Sequence, residues 1–205
     1  MSETTAQHIE HRDDEGSKLG MWLFIFTELL LFGGLFIVYS VYRYMHPTAF
    51  HLAAQELDVS VGTINTVILL VSSMTVAMST TAIQKKDKRT TLILLGITIV
   101  LALVFLVNKY FEWSTKISHQ IYPGSPLLDE RGQGDILFFG LYFFMTGLHA
   151  LHIIIGMVLL CVIFVFVWKD KLVFNNFQLL ENGGLYWHLV DVIWIFLFPL
   201  FYLIT

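Results

Sequence analysis

Three stretches of this chain place reactive side chains in apolar runs, two of them at a spacing that a helix brings onto one face. "TGLHALHII", residues 146 to 154, sets His149 and His152 three residues apart in an apolar run. Positions i and i+3 share a helix face, and paired imidazoles commonly hold iron, copper or zinc. "YWHLVDVIW" repeats the spacing with His188 and Asp191, a pair suited to proton entry or to a catalytic dyad. Glu28, in "KLGMWLFIFTELLLFGG", is a lone carboxyl among apolar residues. It would relay protons only if a chain of polar groups served it.

The elements that must position these residues are set by composition. Of 205 residues, 56% are hydrophobic and 14% charged, which is far from a soluble chain. Runs of about 20 apolar residues cross roughly 30 Å of hydrocarbon at 1.5 Å per residue. Such runs cover residues 19–42, 61–83, 90–111, 135–168 and 184–204. The expectation is an all-α polytopic membrane bundle with five transmembrane helices, forming one transmembrane domain over 1–205. The polar start, residues 1–18, reads as a short cytoplasmic tail rather than a cleaved signal peptide. The single cysteine, Cys161, lies in an apolar run, so neither a disulfide framework nor a CxxC metal site is available. A net charge of −4 predicts no nucleic-acid partner.

Charge placement orients the spans. Arg12, Lys18, Lys85, Lys86, Lys88, Arg89, Lys169 and Lys171 fall on one side of the bilayer, and Arg43, Lys109, Lys116 and Arg131 on the other. The positive-inside rule then puts the N-terminus in the cytoplasm and, after five spans, the C-terminus outside. The loop "SHQIYPGSPLLDERGQG" carries Pro123, Pro126 and three glycines and should be irregular.

A buried polar group in a bilayer needs a partner, and several of these have a structural use as good as a chemical one. Glu28 reads as a carboxyl hydrogen-bonded to a neighbouring helix, because only Thr27 stands beside it as a relay. A haem or copper site needs more ligands than His149 and His152 and a second set of residues to orient them. The remaining histidines do not converge on that pair, so no metal site is expected. The two histidines are expected to hydrogen-bond between helices or to lipid headgroups. His149 is the expected partner of Glu28, directly or through a bound phospholipid. Gly140, Gly147 and Gly156 would permit close helix packing beside them. His188 and Asp191 read as an ion pair anchoring the fifth span, with Trp187 and Trp194 near the membrane interface. Asn65, Ser72 and Ser73 suit interhelical or back-bonded hydrogen bonds. Lys109 and Glu112, one turn apart in "NKYFEW", suit a snorkelling pair at the end of the third span.

Four stretches in order, "KLGMWLFIFTELLLFGGLF", "INTVILLVSSMT", "TGLHALHIIIGM" and "YWHLVDVIWIFLFPLFYL", together resemble subunit III of the haem-copper oxidases, the family of cytochrome c and quinol oxidases. The length is similar to the short bacterial form with five helices. Where long-form members have a glutamate before the tyrosine ending the third of these spans, this chain has Lys109 before Tyr110. The resemblance implies a non-catalytic subunit of a proton-pumping terminal oxidase in a bacterial inner membrane. It implies no redox cofactor in this chain, since the haems and copper belong to subunits I and II. It implies direct packing against subunit I, support of its proton uptake, and a cleft filled with membrane phospholipid lined at the positions of Glu28 and His149. Two other assignments fit less fully: the subunit III homologue of a nitric oxide reductase, and a small proton-coupled transporter. The absence of repeat symmetry and of paired interrupted helices speaks against the transporter.

Overall fold

The computed structural model describes residues 14–170 and 178–204. His8, His11, Arg12 and Lys171 lie outside the described residues.

Among the described residues seven helices run in order: α1 (Asp14–Met45), α2 (Pro47–Ala54), α3 (Val59–Gln84), α4 (Lys88–Ser118), α5 (Pro126–Arg131), α6 (Gln133–Trp168) and α7 (Gln178–Tyr202). Five of them, α1, α3, α4, α6 and α7, are long and apolar enough to cross a membrane. Each extends beyond its apolar run. A helix in water or at the headgroup level still satisfies its own backbone, so polar residues can continue it. The starts of α3 and α4 are fixed by side-chain caps. The Asp58 carboxylate accepts from the backbone N–H groups of Ser60 and Val61 at 2.8 and 3.3 Å, and Asp87 accepts from the Thr90 N–H at 3.1 Å. Each satisfies donors that the first helical turn leaves unpaired. The longest span, α6, has 36 residues, about 54 Å of helix. The stretch between α4 and α6, expected to be irregular, contains the short helix α5, with Pro126 at its start and Ser125 capping it.

The packing has a centre and a flank. Helix α7 packs against α1, α3 and α6, while α4 packs against α3 and α6. Of the five spans α7 is the most buried and α1 the least. Helix α1 meets the others through one narrow stripe: Met21, Ile25, Glu28, Phe32, Leu35, Tyr39 and Tyr42 are buried or half-buried, and most positions between them are exposed. Their spacing alternates four and three residues, the a/d pattern of a coiled-coil seam, and Glu28 is the one carboxyl in it.

Two glycines let the spans close. A Cβ on Gly156 of α6 would stand 2.8 Å from the Tyr186 ring and 3.0 Å from Trp187, and one on Gly62 of α3 would stand 2.8 Å from Phe198. Both glycines face α7, so its large aromatics rest directly on neighbouring backbones. Gly140, expected to do the same, has open space around it, and Gly147 faces Trp113 at 3.3 Å. Aromatic edges complete the core at one end of the bundle, where Tyr39, Phe50, Phe138 and Phe201 meet at centroid distances of 5.1 to 5.7 Å. At the other end Lys88 ties α4 to the end of α6, donating to the Trp168 carbonyl at 2.9 Å and pairing with Asp170 at 2.6 Å.

Candidate functional site

Glu28 of α1 faces α6, and the imidazole it meets is that of His152. Glu28 Oε2 lies 3.0 Å from His152 Nε2, an ion-pair distance whose angles fall short of a hydrogen bond. The other ring nitrogen, Nδ1, sits 2.7 Å from the Leu148 carbonyl. A carbonyl only accepts, so Nδ1 carries a proton. Phe32, one turn along α1, packs the edge of the His152 ring at 5.6 Å. Beyond it an apolar recess of about 220 Å³ opens between α1 and α7, lined by Leu29, Gly33, Val192 and Phe196 among others.

His149 does not take part in that pair, contrary to expectation. It is fully buried, tilted over Trp194 at 5.1 Å and set edge-on to Phe105 at 5.7 Å, and neither ring nitrogen has a hydrogen-bond partner. Three residues turn a helix by about 300°, so His149 and His152 stand about 60° apart around α6. That is enough for one to face α1 and the other to face α4 and α7.

The α7 motif also departs from expectation. His188 and Asp191 make no ion pair with each other; His188 Nδ1 shares a hydrogen bond of 2.6 Å with the Ser73 hydroxyl of α3. Asp191 is 3% exposed, and neither carboxyl oxygen has a hydrogen-bond partner. Trp187 and Trp194 are not at an interface but fully buried, and each donates its indole N–H to α3, to Ser72 and Thr66, both at 3.0 Å. Three polar bonds thus line the α3–α7 contact over about two turns. Ser72 in turn donates back to the Leu69 carbonyl, and Asn65 accepts from Asn108 of α4 at 2.9 Å.

Sequence reasoning missed the densest polar cluster. Lys109 and Glu112 do pair, at 3.0 Å, but their side chains are 3% and 6% exposed. Neither snorkels, because both are turned into the bundle, between α4, α6 and α7. Lys109 Nζ instead donates to Tyr142 of α6 at 3.1 Å and Tyr202 of α7 at 2.9 Å, and both phenols donate to Glu112 Oε1, at 2.7 and 2.5 Å. All three ammonium protons find acceptors. The tyrosines lie 33 and 93 residues away, so only the position of Lys109 inside a span hinted that something must meet it. Glu112 also lines a cavity of about 420 Å³ with Glu56, Asp58, Asn108 and Lys116.

Among the described residues no three His, Cys, Asp or Glu side chains group to hold a metal ion. His149 is enclosed by aromatic rings and His152 is occupied on both nitrogens, so neither offers a lone pair to a haem iron. Five apolar spans, locked by buried polar bonds, define a multi-pass membrane protein. The family model for cytochrome c oxidase subunit III matches residues 1–205, and the chain belongs to that family: it is a subunit III of a haem-copper oxidase. It is 32% identical over 211 residues to cytochrome c oxidase subunit 3 of Thermostichus vulcanus, covering 100% of this chain and 96% of that one. It is 28% identical to cytochrome bo(3) ubiquinol oxidase subunit 3 of Pseudomonas aeruginosa, over 95% of this chain and 88% of that one. It is 30% identical to a protein of Aeropyrum pernix named heme-copper oxidase subunit I+III, covering 96% of this chain but 24% of that protein.

Proposed function

We propose that this chain is the non-catalytic subunit III of a proton-pumping terminal oxidase of the cytochrome c oxidase type. In this role it packs against subunit I in a bacterial inner membrane, in a complex that also contains subunit II, and stabilises subunit I and its proton uptake. Its N-terminus is cytoplasmic and its C-terminus outside, as the lysine-rich ends of α3, α4 and α6 favour. The observation that carries the proposal is the family match over the whole chain. The relative named subunit I+III supports the partnership with subunit I, because two domains fused in one protein are held side by side. Many buried polar side chains join helices, which suits a supporting role.

A phospholipid completes the proposal. The recess between α1 and α7 is apolar and sized for part of an acyl chain, and the Glu28–His152 pair, one turn away, offers the polar atoms that a headgroup or its glycerol ester would meet. His149, enclosed between α4 and α7, lines no part of that site.

The test is purification of the tagged chain from its native membranes. Haem-bearing subunit I should be recovered with it, and a strain lacking the chain should yield an oxidase that loses activity during turnover and pumps fewer protons. Recovery without any haem protein, or an oxidase of normal lifetime and pumping in the deletion strain, would overturn the proposal.

A further inference from the structure

The cavity that Glu112 borders lies where α3 begins and α4 ends, and its walls change character with depth. Asp58 caps α3 and Glu56 precedes it, while Thr115 and Lys116 stand in the last turn of α4. These four are at the level where a span meets the headgroups. Val61, Ile64 and Phe111 stand about one to two turns deeper. Ile64 and Phe111 are 55% and 64% exposed, so the deeper part of the cavity opens sideways on lipid.

Most charges around the cavity are already matched. Glu112 pairs with Lys109, and Glu56 pairs with Arg131 at 2.5 Å. Two are not matched. Asp58 uses one carboxyl oxygen, Oδ1, to accept from the first N–H groups of α3 and makes no ion pair. Lys116 is half-buried and donates to the Glu56 carbonyl, with no carboxylate within ion-pair reach. An ammonium has three protons to donate, so two remain for a ligand. One unmatched carboxylate and one unmatched ammonium thus share the lip of a cavity of about 420 Å³, a volume in the range of small-molecule sites.

The complement of that lip is a molecule that carries both signs. A simple anion meets one favourable charge and one unfavourable charge, as does a simple amine, whereas a zwitterion meets two favourable ones. A water-soluble zwitterion leaves Ile64 and Phe111 uncovered. We infer that this cavity seats the head of a zwitterionic phospholipid of the phosphatidylethanolamine class, with its phosphate on Lys116, its ammonium toward Asp58 and one acyl chain over Ile64 and Phe111. Asp58 sets the selectivity, because it repels an anionic head such as that of phosphatidylglycerol while Lys116 attracts either phosphate. This cavity shares no residue with the α1–α7 recess, so it is a second lipid position, and its charges give it a preference among heads that an apolar recess does not have. The placement in the outer leaflet rests on the topology proposed above; the choice of head does not.

The test uses the complex purified from its membranes and placed in lipid nanodiscs. One preparation contains phosphatidylethanolamine, the other phosphatidylglycerol, each with a photoreactive group near the head end of one acyl chain. Nanodiscs present the same lipid at both faces, so the result does not depend on which way the chain is inserted. Adducts at residues 61–64 and 108–112, mapped by mass spectrometry, should be about threefold to tenfold more abundant with phosphatidylethanolamine. Lys116→Gln should lower them by about fivefold, whereas Lys116→Arg, which keeps the charge, should stay within about twofold of the unaltered chain. Asp58→Asn keeps a side chain that caps a helix as well as aspartate does, and it should bring the two lipids within about twofold of each other. Equal labelling by both lipids in the unaltered chain, or adducts confined to other faces of the bundle, would overturn the inference. So would labelling that Lys116→Gln leaves unchanged, or a preference that survives Asp58→Asn. None of these outcomes bears on the recovery of subunit I, which alone tests the assignment made above.

Discussion

At the scale of single residues, the bundle holds two separate ionisable pairs that behave differently when broken. Glu28 and His152 face each other across the α1–α6 contact at 3.0 Å. A double-mutant cycle of Glu28→Ala and His152→Ala, followed by thermal unfolding of the purified complex, should show a coupling of about 0.5–2 kcal/mol. Glu28→Ala with His149→Ala should be additive, since His149 looks toward Phe105 and Trp194. Lys109 and Glu112 are more tightly committed, because both are buried and two phenols close the network. Lys109→Met leaves Glu112 an uncompensated buried charge and should cost about 3–5 kcal/mol, whereas Lys109→Met with Glu112→Leu should recover most of that loss. Depth along a span was legible from the sequence, and it put Glu28 level with both histidines. Which imidazole it meets was not, because a 60° difference around α6 is settled only by how α1 is packed. The Lys109 cluster was half legible: the pair is local, but its two tyrosines come from spans far along the chain.

Elements carry their own tests. A Cβ on Gly156 of α6 would crowd the Tyr186 and Trp187 rings of α7, so Gly156→Val should push them outward and destabilise the complex by about 1–3 kcal/mol, while Gly140→Val, in open space, should change little. Asp87 caps α4 from outside the membrane, and its hydrogen bonds to the Thr90 hydroxyl and N–H hold its carboxyl below the ordinary value of 3.8. Because the folded value is the lower one, the cap contributes fully above the ordinary value, and that contribution disappears as pH falls through the folded value. Hydrogen exchange at the first turn of α4 should therefore speed up as pH falls below the ordinary value of 3.8, beyond what solvent chemistry accounts for, and Asp87→Asn should remove that extra dependence. Five spans were evident from runs of apolar residues. Their ends were not, since hydropathy marks where hydrocarbon stops and a helix ends only where its backbone finds a cap.

At the scale of the whole molecule, the seam that holds α1 has a consequence for how the protein is made. The first span leaves the ribosome long before the helices it will touch: His152 follows Glu28 by 124 residues, and Leu200, whose carbonyl accepts from the Tyr39 hydroxyl, follows Tyr39 by 161. At roughly 5–20 residues per second, α1 waits about 6–25 s for His152 to be synthesised. Helices α3 and α4, made in the meantime, pack on each other and give it no comparable contact. During that interval α1 must hold its place in the bilayer through its own apolar length, with Glu28 alone in it. Helix α1 is made well before α6 and α7 and finds its register only when they arrive.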